Sequence, residues 1–338
     1  MFNETTDYLR AENFNRSIEI ALRGRFNKEE AIMRVTRRLA ACPEGTLYIR
    51  RDRENVAFYV RIDGKQKYVP KNSEQLYWLA RRKYLELLLK ALELTGRDDE
   101  RSKRKREETI AKIQETVTKF DQGKLNLSRI VMTQAQYNWY FGQYYKKSIS
   151  RRGGELVGDN GISFQNTGQG EKVRSKSERD IGNALEYYGV PYHYEERLVM
   201  DVRHLVDSLR KYLAEEGKLM EPLFDYYEGS CHWNVPPEFE WMNSRGSLWR
   251  TYNDAAGTVT IYTDFRFLFV DHHVGIWEHE GNIEDFIYRT NAGERLMIML
   301  MTGNVGWGDL TVTYERDVNN ANTLNMIIEE SIVPRLWF

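Results

Sequence analysis

The sequence predicts an α/β layered domain built on a mixed sheet, preceded by a mainly helical region with a small antiparallel sheet. Three observations carry this. From Arg174 onward the pattern runs helix, strand, inserted helix, hairpin, helix, strand, helix. Thr260–Gly281, TIYTDFRFLFVDHHVGIWEHEG, alternates on both sides of Asp271-His272-His273 and reads as two strands around a tight turn. Leu47–Val69 alternates in three short runs, with Asp63-Gly64 as a hairpin turn.

The N-terminal elements follow in order. Ile18, Leu22, Ala31, Val35 and Leu39 are spaced for helical stripes within residues 5–41, broken near Gly24. After the Pro43-Glu44-Gly45 turn comes the meander, decorated by Arg50, Arg51, Arg53, Arg61, Lys65, Lys67 and Lys71. Asn72 is read as the cap of a helix carrying Leu76, Leu79, Leu87, Ala91 and Leu94, which Gly96 ends. Residues 97–106 read as a charged connection to a second helix with Ile110, Ile113, Val117 and Phe120, making an antiparallel pair. Six glycines lie between 148 and 173, the best linker or exposed loop in the chain. Their spacing fits neither a Walker nor a dinucleotide-binding motif.

In the C-terminal half, Ser175 and Glu178 form a capping-box pattern before Ile181, Ala184, Leu185 and Tyr188, with Gly189 as the stop. Tyr192, Tyr194 and Leu198 alternate as a strand, and residues 200–220 read as another helix, with Val202, Leu205, Val206, Leu209 and Leu213. Residues 221–257 read as irregular. After the hairpin, Ile283, Phe286, Ile287 and Met297 mark a helix ending near Gly303, followed by a strand at 309–314 and a helix at 324–332. The expected organisation is a basic helical region at 1–147, a Gly-rich linker at 148–173, and an α/β domain at 174–338 with an insertion at about 200–257.

Composition narrows the function classes. With 338 residues, 41% hydrophobic and 29% charged, the chain has the balance of a soluble protein, expected in the cytoplasm. No apolar run reaches a membrane span, and MFNETTDYLRAENF lacks the pattern of a secretory signal. Cys42 and Cys231 are too few and too far apart for a disulfide framework or zinc spacing. The net charge of -1 hides an asymmetry: residues 1–150 hold 31 Lys and Arg against 20 Asp and Glu, leaving 18 against 30. A basic half of this kind suits nucleic acid, and Arg51, Arg53, Lys65, Lys67 and Arg174 are the candidate contacts. Solvation of helices would explain the same charges.

The hairpin holds the candidate chemistry. Folding the arms about the turn brings Asp264 within about two residues of lying opposite Glu278. Two carboxylates on an apolar, aromatic hairpin are costly to bury unpaired, so a divalent cation between them is expected.

The block RSKSE…NALEYYGVPYHYEERL, then TDF, then IWEHEG, resembles the PD-(D/E)XK, restriction-endonuclease-like nuclease superfamily. It looks closest to uncharacterised bacterial members with an RSKSE-type helix and a YWEH-type strand. The resemblance covers Arg174 to about Ile332 and implies a restriction-endonuclease-like mixed sheet flanked by helices. It further implies Asp264, Glu278 and Glu178 as ligands of Mg²⁺ or Mn²⁺ and a metal-dependent nuclease, acting on DNA rather than RNA. Self-association into a homo-oligomer stays open. Two positions depart from the pattern. Thr263 stands where the family has Pro, and Glu280 stands where it has the Lys that positions water. A replacement cation is expected from Lys176 or Arg174, or a ligand role for His279. The alternative is a nuclease-like fold that has lost catalysis and binds nucleic acid or protein.

Overall fold

The structure, a computed structural model, describes residues 9–52, 55–62, 64–141, 165–168, 170–244, 246–281, 284–303 and 305–338. The protein is mixed α/β, with one mixed sheet and several small antiparallel sheets. The chain forms two units, and neither is a continuous stretch. One comprises 1–192, 268–273 and 320–338, and the other comprises 193–267 and 274–319.

The first unit begins with helices α1 (Ala11–Arg23) and α2 (Lys28–Ala40), broken near Gly24 as the sequence suggests. Asn27 caps α2 by accepting the Glu30 N–H. Strands β1 (Thr46–Asp52), β2 (Asn55–Ile62) and β3 (Lys65–Tyr68) form the antiparallel meander. Leu47, Val56, Phe58 and Val60 fill its buried face. Helix α3 (Glu74–Leu94) is capped by Ser73 rather than Asn72, its hydroxyl accepting the Leu76 N–H. Helix α4 runs Glu100–Gln122 from an Asp99 cap. Most of the supposed connection at 97–106 is therefore helix, because Glu, Arg and Lys are good helix formers once a cap is supplied. Short helices α5 (Leu127–Val131) and α6 (Gln134–Phe141) follow.

The expected linker at 148–173 lies outside the described residues as far as 164. Beyond that it is built rather than loose. Strands β4 (Gln165–Asn166) and β5 (Lys172–Val173) pair, and Gly168 N–H donates to Asn183 Oδ1 at 2.7 Å. Asn183 belongs to α7 (Lys176–Tyr187), whose capping box is formed by Ser175 and Glu178. The expected boundary at 174 does not match the division into units, because α7 packs with the N-terminal helices. Gly189 has φ +62, and a Cβ there would come within 2.9 Å of Leu9. Asn13 donates to the Glu186 carbonyl at 2.8 Å. The chain end returns to the same unit: Trp337 Nε1 donates to Ser17 Oγ at 2.6 Å, and its ring meets Phe14 edge-on at 5.0 Å. The Phe269–His273 turn also belongs here, Val270 N–H donating to the Arg335 carbonyl.

The second unit contains the mixed sheet, in strand order β11 (Leu310–Tyr314), β10 (Val274–Glu280), β9 (Thr258–Leu268), β6 (His193–Asp201). Strands β6 and β9 pair antiparallel. Strand β10 pairs parallel with β11, through the long crossover that parallel pairing requires. That crossover carries helix α9 (Phe286–Met301). The five-residue turn between neighbouring strands β9 and β10 permits only antiparallel pairing. After β6 come helix α8 (Arg203–Glu215) and the segment read as irregular. That segment holds a further hairpin, β7 (Phe224–Tyr227) and β8 (Ser230–Trp233). Its ring of Phe224, Trp233, Trp249 and Tyr252 packs into the same core as Met200, Val259 and Ile276. Among the described residues, no helix is long and apolar enough to cross a membrane.

Candidate active site

The site grows out of the alternation of β9. Val259, Ile261, Thr263, Phe265 and Phe267 point into the core, while Tyr262 is exposed and Asp264 and Arg266 are half-buried. Strand β10 lies between β9 and β11, so both of its edges are paired, and Gly275–Glu280 is buried throughout. Its alternation sends Glu278 and Glu280 one way and Trp277 and His279 the other. The His279 N–H donates to Asp264 Oδ2 at 2.7 Å, and the Asp264 N–H donates to Glu278 Oε1 at 3.3 Å. The expected approach of Asp264 to Glu278 is thus present.

Electrostatics follow from burial. Desolvation, then Asp264 and Glu280, hold the Glu278 carboxyl well above its ordinary value of 4.5, with Arg295 pulling the other way. Glu280, only 2% exposed, is paired with Arg295 at 3.1 Å and 3.4 Å from its two oxygens. Burial works against the Arg295 charge, but Glu278, Glu280 and Asp264 outweigh it and raise its pKa. Tyr288 hydrogen-bonds Glu280, and burial together with that carboxylate pushes the phenol up. Tyr288 and Arg295 are two turns apart on α9 and so share a face. Glu294, the residue before Arg295, is pushed up to about 7 by burial, although the Ser247 hydroxyl donates to it.

The expected residues Glu178, Lys176 and Arg174 belong to the first unit. There Glu178 Oε2 accepts the Arg174 and Ser175 N–H groups at 2.7 Å and 2.9 Å. Lys176 and Arg174 are exposed. Within the second unit the cation that meets Glu280 is Arg295, a residue the sequence reading did not single out. Only the Tyr288/Arg295 spacing in YRTNAGER could have signalled it. The ligand role considered for His279 does not suit its position. Its ring lies with Trp277 on the other face, Nδ1 3.2 Å from Thr313 Oγ1 and Nε2 3.4 Å from Glu315. Thr263 donates its hydroxyl to the Glu196 carbonyl.

Glu195 is a further residue missed. It is buried, has φ +49, and falls between the pairs Tyr194–Phe265 and Glu196–Thr263, opposite Asp264 in the register. A left-handed conformation in a non-glycine residue is strained, and such strain concentrates at functional sites. It also breaks the strand's alternation. Glu196 thereby meets both His193, three residues earlier, and Arg266, at 3.0 Å and 3.1 Å.

Of the expected nucleic-acid contacts, Arg53 lies outside the described residues. Lys65 and Lys67 sit two residues apart on β3, exposed. Arg51 is exposed on β1 beside the β1–β2 turn, at the opposite end of the sheet from Lys65, so the structure does not gather the set into one patch.

Among the described residues, no three His, Cys, Asp or Glu side chains gather into a set that could enclose a metal ion. The Asp264–Glu278 pair nevertheless has the chemistry of a hard-cation site. It offers carboxylate oxygens, and Glu278 takes its charge readily only when a positive charge compensates. Mg²⁺ is commonly held by one or two carboxylates, completed by water and substrate phosphate. Comparison with protein-family models, curated proteins and solved structures found no match.

Proposed function

We propose that the chain is a metal-dependent nuclease of the restriction-endonuclease-like kind, hydrolysing phosphodiester bonds in DNA. The observation that carries this reading is the Asp264–Glu278 pair on adjacent strands, with Glu278 held well above its ordinary pKa. Bound Mg²⁺ or Mn²⁺ would activate water and offset charge on the phosphate. Asp264 and Glu278 would hold that cation, the His279 N–H orienting Asp264. Arg295 keeps Glu280 neutralised, so this carboxylate does not repel the phosphate. In this reading Arg295 offsets the carboxylate that stands at the motif Lys position but does not supply the positive charge of that Lys.

The same ion pair favours the second reading, a nuclease-like fold kept for binding, because a guanidinium committed to Glu280 satisfies the site internally. The test is cleavage of labelled DNA and RNA with Mg²⁺ or Mn²⁺, alongside metal-induced thermal stabilisation. Asp264→Asn should lower cleavage by at least about 100-fold and abolish the thermal response while remaining folded. Wild-type protein that is folded, unresponsive to both metals and inert on both nucleic acids would leave only the binding reading.

A further inference from the structure

The meander turns one face inward, and its open face has an unusual composition. Tyr48 pairs with Tyr59, and Tyr59 with Tyr68, so three tyrosines form one row across all three strands. Neighbouring strands lie about 4.8 Å apart, so the row spans about 10 Å. Arg50 and Ala57 form the adjacent row on one side, and Thr46, Arg61 and Gln66 the row on the other. Over these eight positions the face carries two guanidiniums, and the next row beyond Arg50, Asp52 with Asn55, places one carboxylate position at the strand end. Arg50 sits 5.2 Å from the Tyr59 ring centre and Arg61 4.9 Å from that of Tyr48, both diagonal across the strands. The Tyr59 and Tyr68 rings meet edge-on at 5.8 Å, and Tyr68 is 58% exposed.

Stabilising the sheet does not require this. One buried face suffices, and an exposed cation–π stack is weak. What the arrangement offers is flat apolar surface with cations on both flanks. We infer that the open face of β1–β2–β3 is a stacking platform for single-stranded nucleic acid, DNA or RNA, with bases on the tyrosine row and phosphates on Arg50 and Arg61. Duplex fits it poorly, because paired bases are already stacked and present only their edges. The cationic flanks select a polyanion over a neutral ligand. This site is distinct from the edge set Arg51, Lys65 and Lys67. It does not rest on the proposed nuclease centre, whose residues belong to the other unit.

Fluorescence anisotropy with full-length protein in EDTA tests it without cleavage. The probes are a labelled oligo-dT, an oligo-rU of equal length and a duplex. Single strands should bind more tightly than duplex. Tyr68→Ala should weaken them about tenfold with an unchanged salt slope, because stacking releases no counterions. Tyr68→Phe should bind as wild type. Arg50→Gln with Arg61→Gln should flatten the salt slope by about 1.4. The inference is overturned if Tyr68→Ala binds both single strands like wild type while circular dichroism shows it folded. It is equally overturned if duplex is preferred, or if no probe binds at low salt. Running the same variants in the Mg²⁺ cleavage assay separates this outcome from that of the nuclease reading.

Discussion

The two larger sheets place their charge in opposite settings. On the open face of β1–β2–β3, Arg50 and Arg61 stand in water beside tyrosines. On β10, Glu278 and Glu280 are each 2% exposed, and their balance rests on Arg295. Solvent screens the first set, whose members act almost independently. The second set is coupled, because two charges in a poorly polarisable interior interact several times more strongly than at the surface. The basic and acidic halves read from composition therefore say little about chemistry until burial is known. The exposed charges can serve recognition, whereas the buried ones alter each other's protonation.

Removing Arg295 tests that contrast most severely. Arg295→Ala leaves Glu280 buried without its cation and should cost about 3 kcal/mol in urea unfolding, the low end for a broken buried pair because the arginine side chain is 29% exposed. Arg295→Ala combined with Glu280→Gln should recover most of that loss. A cost below about 1 kcal/mol would place the pair with the surface charges and remove the contrast.

An intermediate effect is expected from Glu278→Gln, and it depends on pH. The folded carboxyl binds its proton more tightly than the unfolded one, so the folded state holds the extra proton above pH 4.5. Stability is complete below that value and falls as pH rises through the raised pKa. The variant should therefore be more stable than wild type at neutral and alkaline pH, by at least about 1 kcal/mol. It should match wild type at pH 4. Thermal melts across pH measure this, and added Mg²⁺ should narrow the gap by stabilising wild type alone. A pH-independent difference would point to packing instead.

The smallest effect belongs to the open face. Arg50→Gln and Arg61→Gln should each change stability by less than about 0.5 kcal/mol, checked by the urea midpoint. A larger loss would mean that these guanidiniums hold the sheet together, making the two sheets more alike than their exposure implies.

What could be read from sequence was what is local. The breaks near Gly24 and Gly189, the meander, and the approach of Asp264 to Glu278 all follow from period and turn chemistry within a few residues. Misreadings arose where local signals are weak or tertiary. The hairpin β7–β8 turns on Glu228-Gly229, with φ +48 and +80, as a two-residue turn with both residues left-handed requires. Glutamate is not a usual first residue there, so the segment read as irregular. Arg295 lies on the crossover helix, and its approach to Glu280 depends on how that helix packs on the sheet. The left-handed backbone of Glu195 has no sequence signature at all.

The bond from Trp337 to Ser17 has a consequence for biogenesis. Its partners are 320 positions apart. A ribosome adding about 5–20 residues each second leaves α1 without this partner for tens of seconds. During that time Phe14, Ile18 and Leu22 have an incomplete surface to pack against, and the entropy of closing so long a loop is still to be overcome. Helix α1 thus completes its packing long after it is made, and a nascent chain halted before Val333 would present the apolar face of that helix to whatever chaperone is nearby.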